Sequence, residues 1–554
     1  METAIGKPVA VFNWEPRAES REPRAETTAH RVQNTTSSMK KSRSRRASSS
    51  ADIPLARTGV SGLDEVLRGG LPANHLYLID GEPGTGKTTL ALQFLREGVE
   101  EGERGLYVAL SESADELRTV ATSHGWDLEG IDIFEMSAGV GGSEDDYTIF
   151  HPAEIELQQA VASVYAAVDE HKPRRIAFDS LSEMRLLARD PLRFRRQVLS
   201  LKRFFEGRDC TVLLLDDKAA PDQDLQLHSI AHGVIALEHL ALEYGAERRR
   251  LQVKKVRGHR FRGGFHDFRI QKGGINVFPR INNQPGKEKA RLELHLSGSS
   301  ELDDLLGGGV VRGTSMLITG AAGTGKSILA TQYAEAIVKA GGRVRFYIFD
   351  ERLSTFHLRA RGLKMDIFDA MESGALNVHQ VEPTALSPGE FAQHVQRAVE
   401  DDEVEMIAID SINGYMQSMP EERLLPLQLH ELLTYMSNKG VTTILTLVQR
   451  GMFGRPVDEA ADVSYLADTV ILLRYFEFNG AVRQAISVVK KRSGNHERTI
   501  REVKVGAGGL TVGEPLHEFQ GVLTGVPEYV GEPQPLMSYN AAGIAPPSRK
   551  SRPR

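Results

Sequence analysis

Two stretches of the 554-residue chain decide how it folds: Gly81-Glu-Pro-Gly-Thr-Gly-Lys87-Thr88 and Gly320-Ala-Ala-Gly-Thr-Gly-Lys326-Ser327. Both fit the pattern G-x-x-x-x-G-K-[ST], and the second lies 239 residues after the first (87 to 326). Other landmarks repeat in the same order. Leu63-Asp64 returns as Leu302-Asp303 and Glu112 as Glu351, both 239 residues on. Lys255-Val-Arg257 returns as Lys490-Lys-Arg492, and Gly273-Gly274-Ile275 as Gly508-Gly509-Leu510, both 235 residues on. Ordered landmarks at a nearly constant offset mean two copies of one unit. The period is too long for a solenoid repeat, so each copy is a domain-sized fold.

Each copy reads as α/β. His75-Leu-Tyr-Leu-Ile-Asp80 is a short apolar run that ends at the glycine-rich turn, and Thr89 to Glu100 then carries helical spacing through Leu90, Phe94 and Leu95. Further apolar runs follow at Gly105–Leu110, Arg175–Asp179 and Cys210–Leu215. Strands alternating with helices predict a parallel sheet with helices on both faces. Boundaries follow from composition: a Ser- and Arg-rich disordered tail over 1–51, a first domain over 52–285, a second over 286–530, and a basic disordered tail over 531–554. The Lys40–Arg46 run is read as a solvated tail.

Composition excludes several classes. Hydrophobic residues make up 40% and charged residues 26% of the chain, an ordinary globular balance. No run of about 18 apolar residues predicts a membrane helix, and no apolar leader core is present, so a cytoplasmic protein is expected. The single cysteine, Cys210, rules out a disulfide framework or a cysteine-rich zinc site. The net charge of −6 gives no footprint for nucleic acid.

The glycine-rich loops carry phosphate chemistry. Gly84, Thr85 and Gly86, like Gly323, Thr324 and Gly325, let backbone N–H groups turn inward around a phosphate chain at a helix N-terminus. Lys87 and Lys326 neutralise the β- and γ-phosphates, and Thr88 and Ser327 offer hydroxyls to Mg²⁺. Asp179 and Asp410 each end an apolar strand and are placed to hold the same Mg²⁺. Glu112 in the first copy and Asp350-Glu351 in the second follow the next strand, where a carboxylate can take a proton from an attacking hydroxyl. Lys255, Arg257, Lys490 and Arg492 are candidates to reach a neighbouring subunit's triphosphate.

With these flanks the chain resembles the KaiC family, the duplicated ATPase and autokinase of the bacterial circadian clock, and its KaiC-like relatives. Thr58-Gly-Val-Ser-Gly-Leu-Asp-Glu65, Gly273-Gly-Ile-Asn-Val-Phe278 and Ala467-Asp-Thr-Val-Ile-Leu-Leu473 carry the likeness over roughly residues 52–530. The resemblance implies two tandem RecA-like P-loop NTPase domains, two stacked rings of a homohexamer, and ATP with Mg²⁺ between subunits. It implies hydrolysis in the first ring and autophosphorylation in the second. The family's paired catalytic glutamates fall on Ser111 and Glu112, and on Asp350 and Glu351, so the first copy keeps one acid of two. The family's Ser-Thr phosphoacceptor pair falls on Ser464 and Tyr465, which leaves Ser464 as the expected acceptor and Tyr465 as runner-up. The expectation is an ATPase and serine autokinase acting as a signalling or timing module. The rival classes are a RecA or replicative-helicase type DNA-dependent ATPase and a non-catalytic nucleotide sensor.

Overall fold

A computed structural model describes residues 54–135, 152–188, 190–217, 227–241, 247–281, 283, 293–382, 385–417, 424–449, 463–522 and 527–531. Of the proposed tails over 1–51 and 531–554, all but Gly531 lies outside the described residues.

The first copy builds one nine-stranded sheet: β1 (Leu76–Gly81), β2 (Gly105–Ala109), β3 (Ile131–Glu135), β4 (Arg175–Asp179), β5 (Thr211–Asp217), β6 (Gly233–Leu240), β7 (Arg248–Val256), β8 (Phe265–Gln271) and β9 (Gly274–Phe278). The second copy builds another: β10 (Ser315–Gly320), β11 (Val344–Ile348), β12 (Leu376–Gln380), β13 (Met406–Asp410), β14 (Thr442–Val448), β15 (Thr469–Phe478), β16 (Ala481–Lys491), β17 (Arg501–Gly506) and β18 (Gly509–Pro515).

Strand order is β3-β2-β4-β5-β1-β6-β7-β8-β9 in one sheet and β12-β11-β13-β14-β10-β15-β16-β17-β18 in the other, the same path twice. The run from β3 to β6 is parallel, and β7 to β9 extend it antiparallel. Even the irregularities repeat. The β6–β7 register slips between Val234 and Ile235, and the β15–β16 register slips between Val470 and Ile471. The slip sets Lys255 opposite Val234 and Lys490 opposite Val470. The two basic elements are therefore structurally equivalent.

Successive residues of a parallel strand serve opposite faces. Tyr77 and Ile79 of β1 enter a core beneath helix α1 (Lys87–Glu100), and Leu76 and Leu78 enter the core on the other face. In β10, Met316 and Ile318 face helix α2 (Lys326–Lys339) and Leu317 the other core. Helices thus cover both faces, as the alternation of elements predicts.

The copies also lock together. The Asp267 carboxylate on β8 accepts from the Gly389 N–H at 2.8 Å, in the first turn of helix α3 (Pro388–Glu400). Arg269 pairs with Glu390 at 2.9 Å, and Arg280 with Glu431 at 2.5 Å.

Candidate active sites

In both copies the glycine-rich loop joins the C-terminal end of a central strand to a long helix. The helix N-caps, Gly86 and Gly325, have φ of 102° and 100°, a left-handed conformation that glycine adopts without a Cβ penalty. A Cβ on Gly86 would meet Ile270 Cδ1 at 2.6 Å. The unbonded N–H groups of each first turn and the helix dipole together favour a phosphate.

Around the first loop, the Lys87 ammonium donates to the Gly81 and Glu82 carbonyls at 2.8 and 3.0 Å and pairs with Asp217 at 2.8 Å. The Thr88 hydroxyl donates to Asp179 Oδ2 at 3.2 Å, and the Tyr107 hydroxyl donates to the same oxygen at 2.5 Å. Burial pushes Asp179 above the ordinary carboxylate range, with Tyr107, Thr88 and Lys87 opposing the shift. Glu112 is half-buried, and burial together with the charge of Asp179 pushes it up to about 7. A carboxylate titrating there suits proton transfer at neutral pH.

Around the second loop, the Lys326 ammonium donates to the Ala321 carbonyl at 2.7 Å. Burial lowers Lys326 to about 8, against the opposing pull of Asp410. The buried Asp410 accepts from the Thr446 hydroxyl. The Ser411 hydroxyl donates to Asp350, and Arg359 pairs with Glu351. The matching helix position in the first copy is Val120, and the arginine on that helix, Arg118, pairs with Asp115.

The structure therefore brings Lys87, Thr88, Asp179 and Glu112 to one place, and Lys326 and Asp410 to another, with Asp350 and Glu351 at the end of the neighbouring strand. Among the described residues, no group of three or more His, Cys, Asp or Glu side chains could by itself hold a metal. A hydroxyl beside a carboxylate, as at Thr88 and Asp179, fits Mg²⁺, which usually takes one or two protein ligands plus phosphate oxygens and water.

The basic elements fall elsewhere within the subunit. Lys490 donates to the Ser464 and Ala467 carbonyls at 3.0 and 2.7 Å, and Arg492 to the Tyr465 carbonyl at 3.0 Å. Lys255 likewise reaches the His228 carbonyl, and Arg257 reaches the Ser229 carbonyl at 2.6 Å. In each copy, then, the bases hold the turn before β6 or β15. Ser464 is half-buried and Tyr465 is 56% exposed. By this equivalence His228 stands where the second copy has Ser464, and Ser229 where it has Tyr465.

Three contributors were not singled out from sequence: Tyr107, Asp217 and Thr446. Each acts across a strand pair, so its partner depends on register rather than on spacing along the chain. The one available signal was the pair of acids, Asp216-Asp217, that ends an apolar run.

Fold and site together define a tandem RecA-like P-loop ATPase. The family model of the KaiC ATPase matches residues 56–282 and again 296–517, and the chain belongs to that family. Among curated relatives, it is 26% identical over 494 residues to the circadian clock protein KaiC3 of Synechocystis sp., covering 87% of this chain and 96% of that protein. It is 24% identical to the circadian clock oscillator protein KaiC of Acaryochloris marina, covering 85% and 91% of the two chains. It is 25% identical to the KaiC of Synechococcus elongatus, covering 86% and 92%. No helix among the described residues is long and apolar enough to cross a membrane.

Proposed function

We propose that the chain hydrolyses ATP at its first loop and phosphorylates itself on Ser464 from ATP bound at its second, as a nucleotide-assembled homohexamer serving a signalling or timing role. The observation that carries this reading is the repeated constellation: a phosphate-loop lysine, a buried strand-end aspartate, and a separate acid on the neighbouring strand. The first two neutralise and orient; the third is free of that task and can accept a proton. Mg²⁺ would be held by Thr88 with Asp179 and by Ser327 with Asp410, and would supply further neutralisation of phosphate charge.

At the first site, a water oxygen attacks the γ-phosphorus, the bond to the β,γ-bridging oxygen breaks, and ADP departs. The water's proton goes to Glu112. At the second, the Ser464 oxygen is the nucleophile and its proton goes to Asp350 or Glu351. Lys490 and Arg492 lie beneath the turn that carries Ser464. A neighbouring subunit's triphosphate brought to this turn meets the acceptor and the cations together, which is the basis for the in-trans role of these bases. Lys255 and Arg257 have the same relation to the first-copy turn.

Incubation with Mg·ATP, phosphosite mapping and native mass measurement test the reading. Phosphate is expected on Ser464 and is lost in Ser464→Ala and in Lys326→Ala. A hexamer is expected with nucleotide, because a ligand that binds only the assembled form stabilises it by mass action. Phosphate surviving in Ser464→Ala moves the acceptor to Tyr465 or elsewhere. A monomer in saturating nucleotide removes the ring. Hydrolysis that depends on single-stranded DNA would favour the helicase class instead.

A further inference from the structure

The turn before β6 is the first copy's counterpart of the turn that carries Ser464, and His228 occupies the matching position. A carboxylate faces one edge of its ring. His228 Nε2 is buried and lies 3.6 Å from Asp80 Oδ2 at the end of β1. The side chain is 22% exposed, on the edge away from Asp80, and among the described residues nothing bonds Nδ1. Asp80 is itself buried, and the Lys254 ammonium donates to its Oδ2 at 3.3 Å. Burial alone would raise Asp80, but His228 and Lys254 outweigh it and hold the carboxyl below its ordinary range. A charged carboxylate beside Nε2 keeps the ring proton on that nitrogen and leaves the lone pair on Nδ1.

The second copy differs at each of these places. Thr319 stands for Asp80, and its hydroxyl is buried without a partner. Lys254 and Val489 are the extra residues at the two register slips, so an exposed valine replaces the lysine. The acceptor there, Ser464, is a hydroxyl that must give up a proton, and two acids, Asp350 and Glu351, stand at that site. The first copy has Ser111 and Glu112 instead, one acid of two. An imidazole attacks through a lone pair and needs no base. The changes at 80, 111, 228 and 254 therefore agree with one another.

We propose that His228 is a second phosphoacceptor, modified on Nδ1 by the γ-phosphoryl group of ATP bound at a neighbouring subunit's first loop. This transfer rests on the in-trans delivery of a triphosphate to the turn, as proposed above for both copies. The Nδ1 lone pair attacks the γ-phosphorus and an N–P bond forms. The bond from phosphorus to the β,γ-bridging oxygen breaks, and ADP leaves with that electron pair. Nε2 keeps its proton, and the positive charge left on the ring is met by Asp80, which acts as a positioning residue. The product is a phosphoramidate, chemically distinct from the ester at Ser464.

That difference supplies the test. Phosphoramidates survive alkali and hydrolyse in acid, whereas phosphoserine survives acid. Full chains are pulsed with γ-labelled Mg·ATP, quenched in alkali and mapped without acid. Acid-labile label is expected on His228 in the parent chain and in Lys326→Ala, where Ser464 carries none. It is lost in His228→Asn and in Lys87→Ala, and a mixture of those two chains under subunit exchange regains it, because donor and acceptor then meet across some interfaces. Asp80→Asn slows its formation roughly tenfold, and Asp80→Glu recovers part of the rate. Melting temperatures of the variants, unchanged from the parent, separate a lost acceptor from lost folding. Ser464 labelling and native mass are read from the same samples. A hexamer labelled on Ser464 and bare at His228 overturns this inference and leaves the earlier reading standing, whereas a monomer removes both. Acid-labile label that persists in Lys87→Ala overturns the donor, and acid-stable label on Ser229 in its place overturns the acceptor.

Discussion

The buried aspartate at the end of the second-strand neighbour, Asp179 in one copy and Asp410 in the other, is held from opposite sides. In the first copy the hydroxyl comes from Tyr107 on β2, and the residue opposite on β5 is Leu215. In the second copy β11 presents Phe346, and the hydroxyl comes from Thr446 on β14. Two substitutions have moved one hydrogen bond across the strand without leaving a buried carboxylate unpaired. The same fold therefore tolerates exchange of supporting residues if the carboxylate keeps a donor, since an unsatisfied buried charge is costly. The lysines differ more. Lys87 has a carboxylate, Asp217, whereas the position matching Asp217 at the end of β14 is Val448. One site carries a built-in competitor for its lysine; the other leaves its lysine buried beside a carbonyl.

The largest effect that separates the copies is expected from the lysines themselves. Lys326→Ala lowers labelling of Ser464 by roughly a hundredfold or more, the scale on which single charge-stabilising donors act. Lys87→Ala instead removes the first site's share of ADP release and leaves labelling within a few-fold of the parent. Mixing Lys326→Ala with Arg492→Ala chains under subunit exchange restores part of the labelling, because some interfaces then hold both groups. Equal loss from the two lysine variants would erase the functional division between copies.

Next in size is the exchange of the buried hydroxyl. Tyr107→Phe removes the shorter of the two hydroxyl bonds to Asp179 Oδ2, leaving that of Thr88, and costs about 1–3 kcal/mol. For a domain of this size each kcal/mol lowers the melting temperature by roughly 2–4 °C. Adding Leu215→Thr rebuilds the second copy's arrangement and recovers part of the loss. The coupling between the two changes, read from a double-mutant cycle, is the informative quantity. No recovery would mean that the two copies are not interchangeable at this point.

How far the sequence could be read follows from the same particulars. The loops, the strands and the strand-end aspartates are contiguous strings whose physics is local, and they predict the parallel sheet with little else. The exchange of Tyr107 for Thr446 is not local. It requires knowing that Asp179 lies opposite Leu215 and that Lys255 lies opposite Val234, and a register is fixed by the whole sheet. The bases at 255, 257, 490 and 492 stand out in the sequence because they recur. Their hold on the carbonyls of their own turns appeared only when the bulge placed them there. The Asp267 bond to the first turn of α3 spans 122 residues and has no signature along the chain.

Smaller again is the pH response of the second loop. Lys326, lowered to about 8 by burial, must be protonated to neutralise phosphate. Above that value a growing fraction is neutral, so ATP affinity at this loop falls as pH rises. On a Lys87→Ala chain, which isolates the second site, the dissociation constant should weaken roughly tenfold between pH 7 and pH 9, about one decade per unit beyond the midpoint. Val448→Asp places a carboxylate where the first copy has Asp217 and should move this transition upward. A flat titration in the parent chain would show that burial does not govern the lysine.

The smallest effect tests the competitor itself. The three protons of the Lys87 ammonium are met by two carbonyls and by Asp217. A phosphate that recruits this lysine has to displace the carboxylate, since the carbonyls belong to the loop that cradles the phosphates. The Asp217 side chain is 41% exposed, so water screens the pair and its net worth is at most about 1 kcal/mol. Asp217→Val, the residue of the second copy, should therefore tighten ATP binding at the first loop by no more than roughly fivefold, measured by calorimetry on a Lys326→Ala chain. ADP should gain less, because without a γ-phosphate the lysine is less fully drawn away from Asp217. The ratio of ATP to ADP affinity is thus the sharper readout than either constant alone. If Asp217→Val leaves both affinities unchanged, the ion pair is incidental. If it weakens ATP, the carboxylate helps to hold the bound state, and the two copies differ in how they engage the γ-phosphate rather than in how they release their lysine to it.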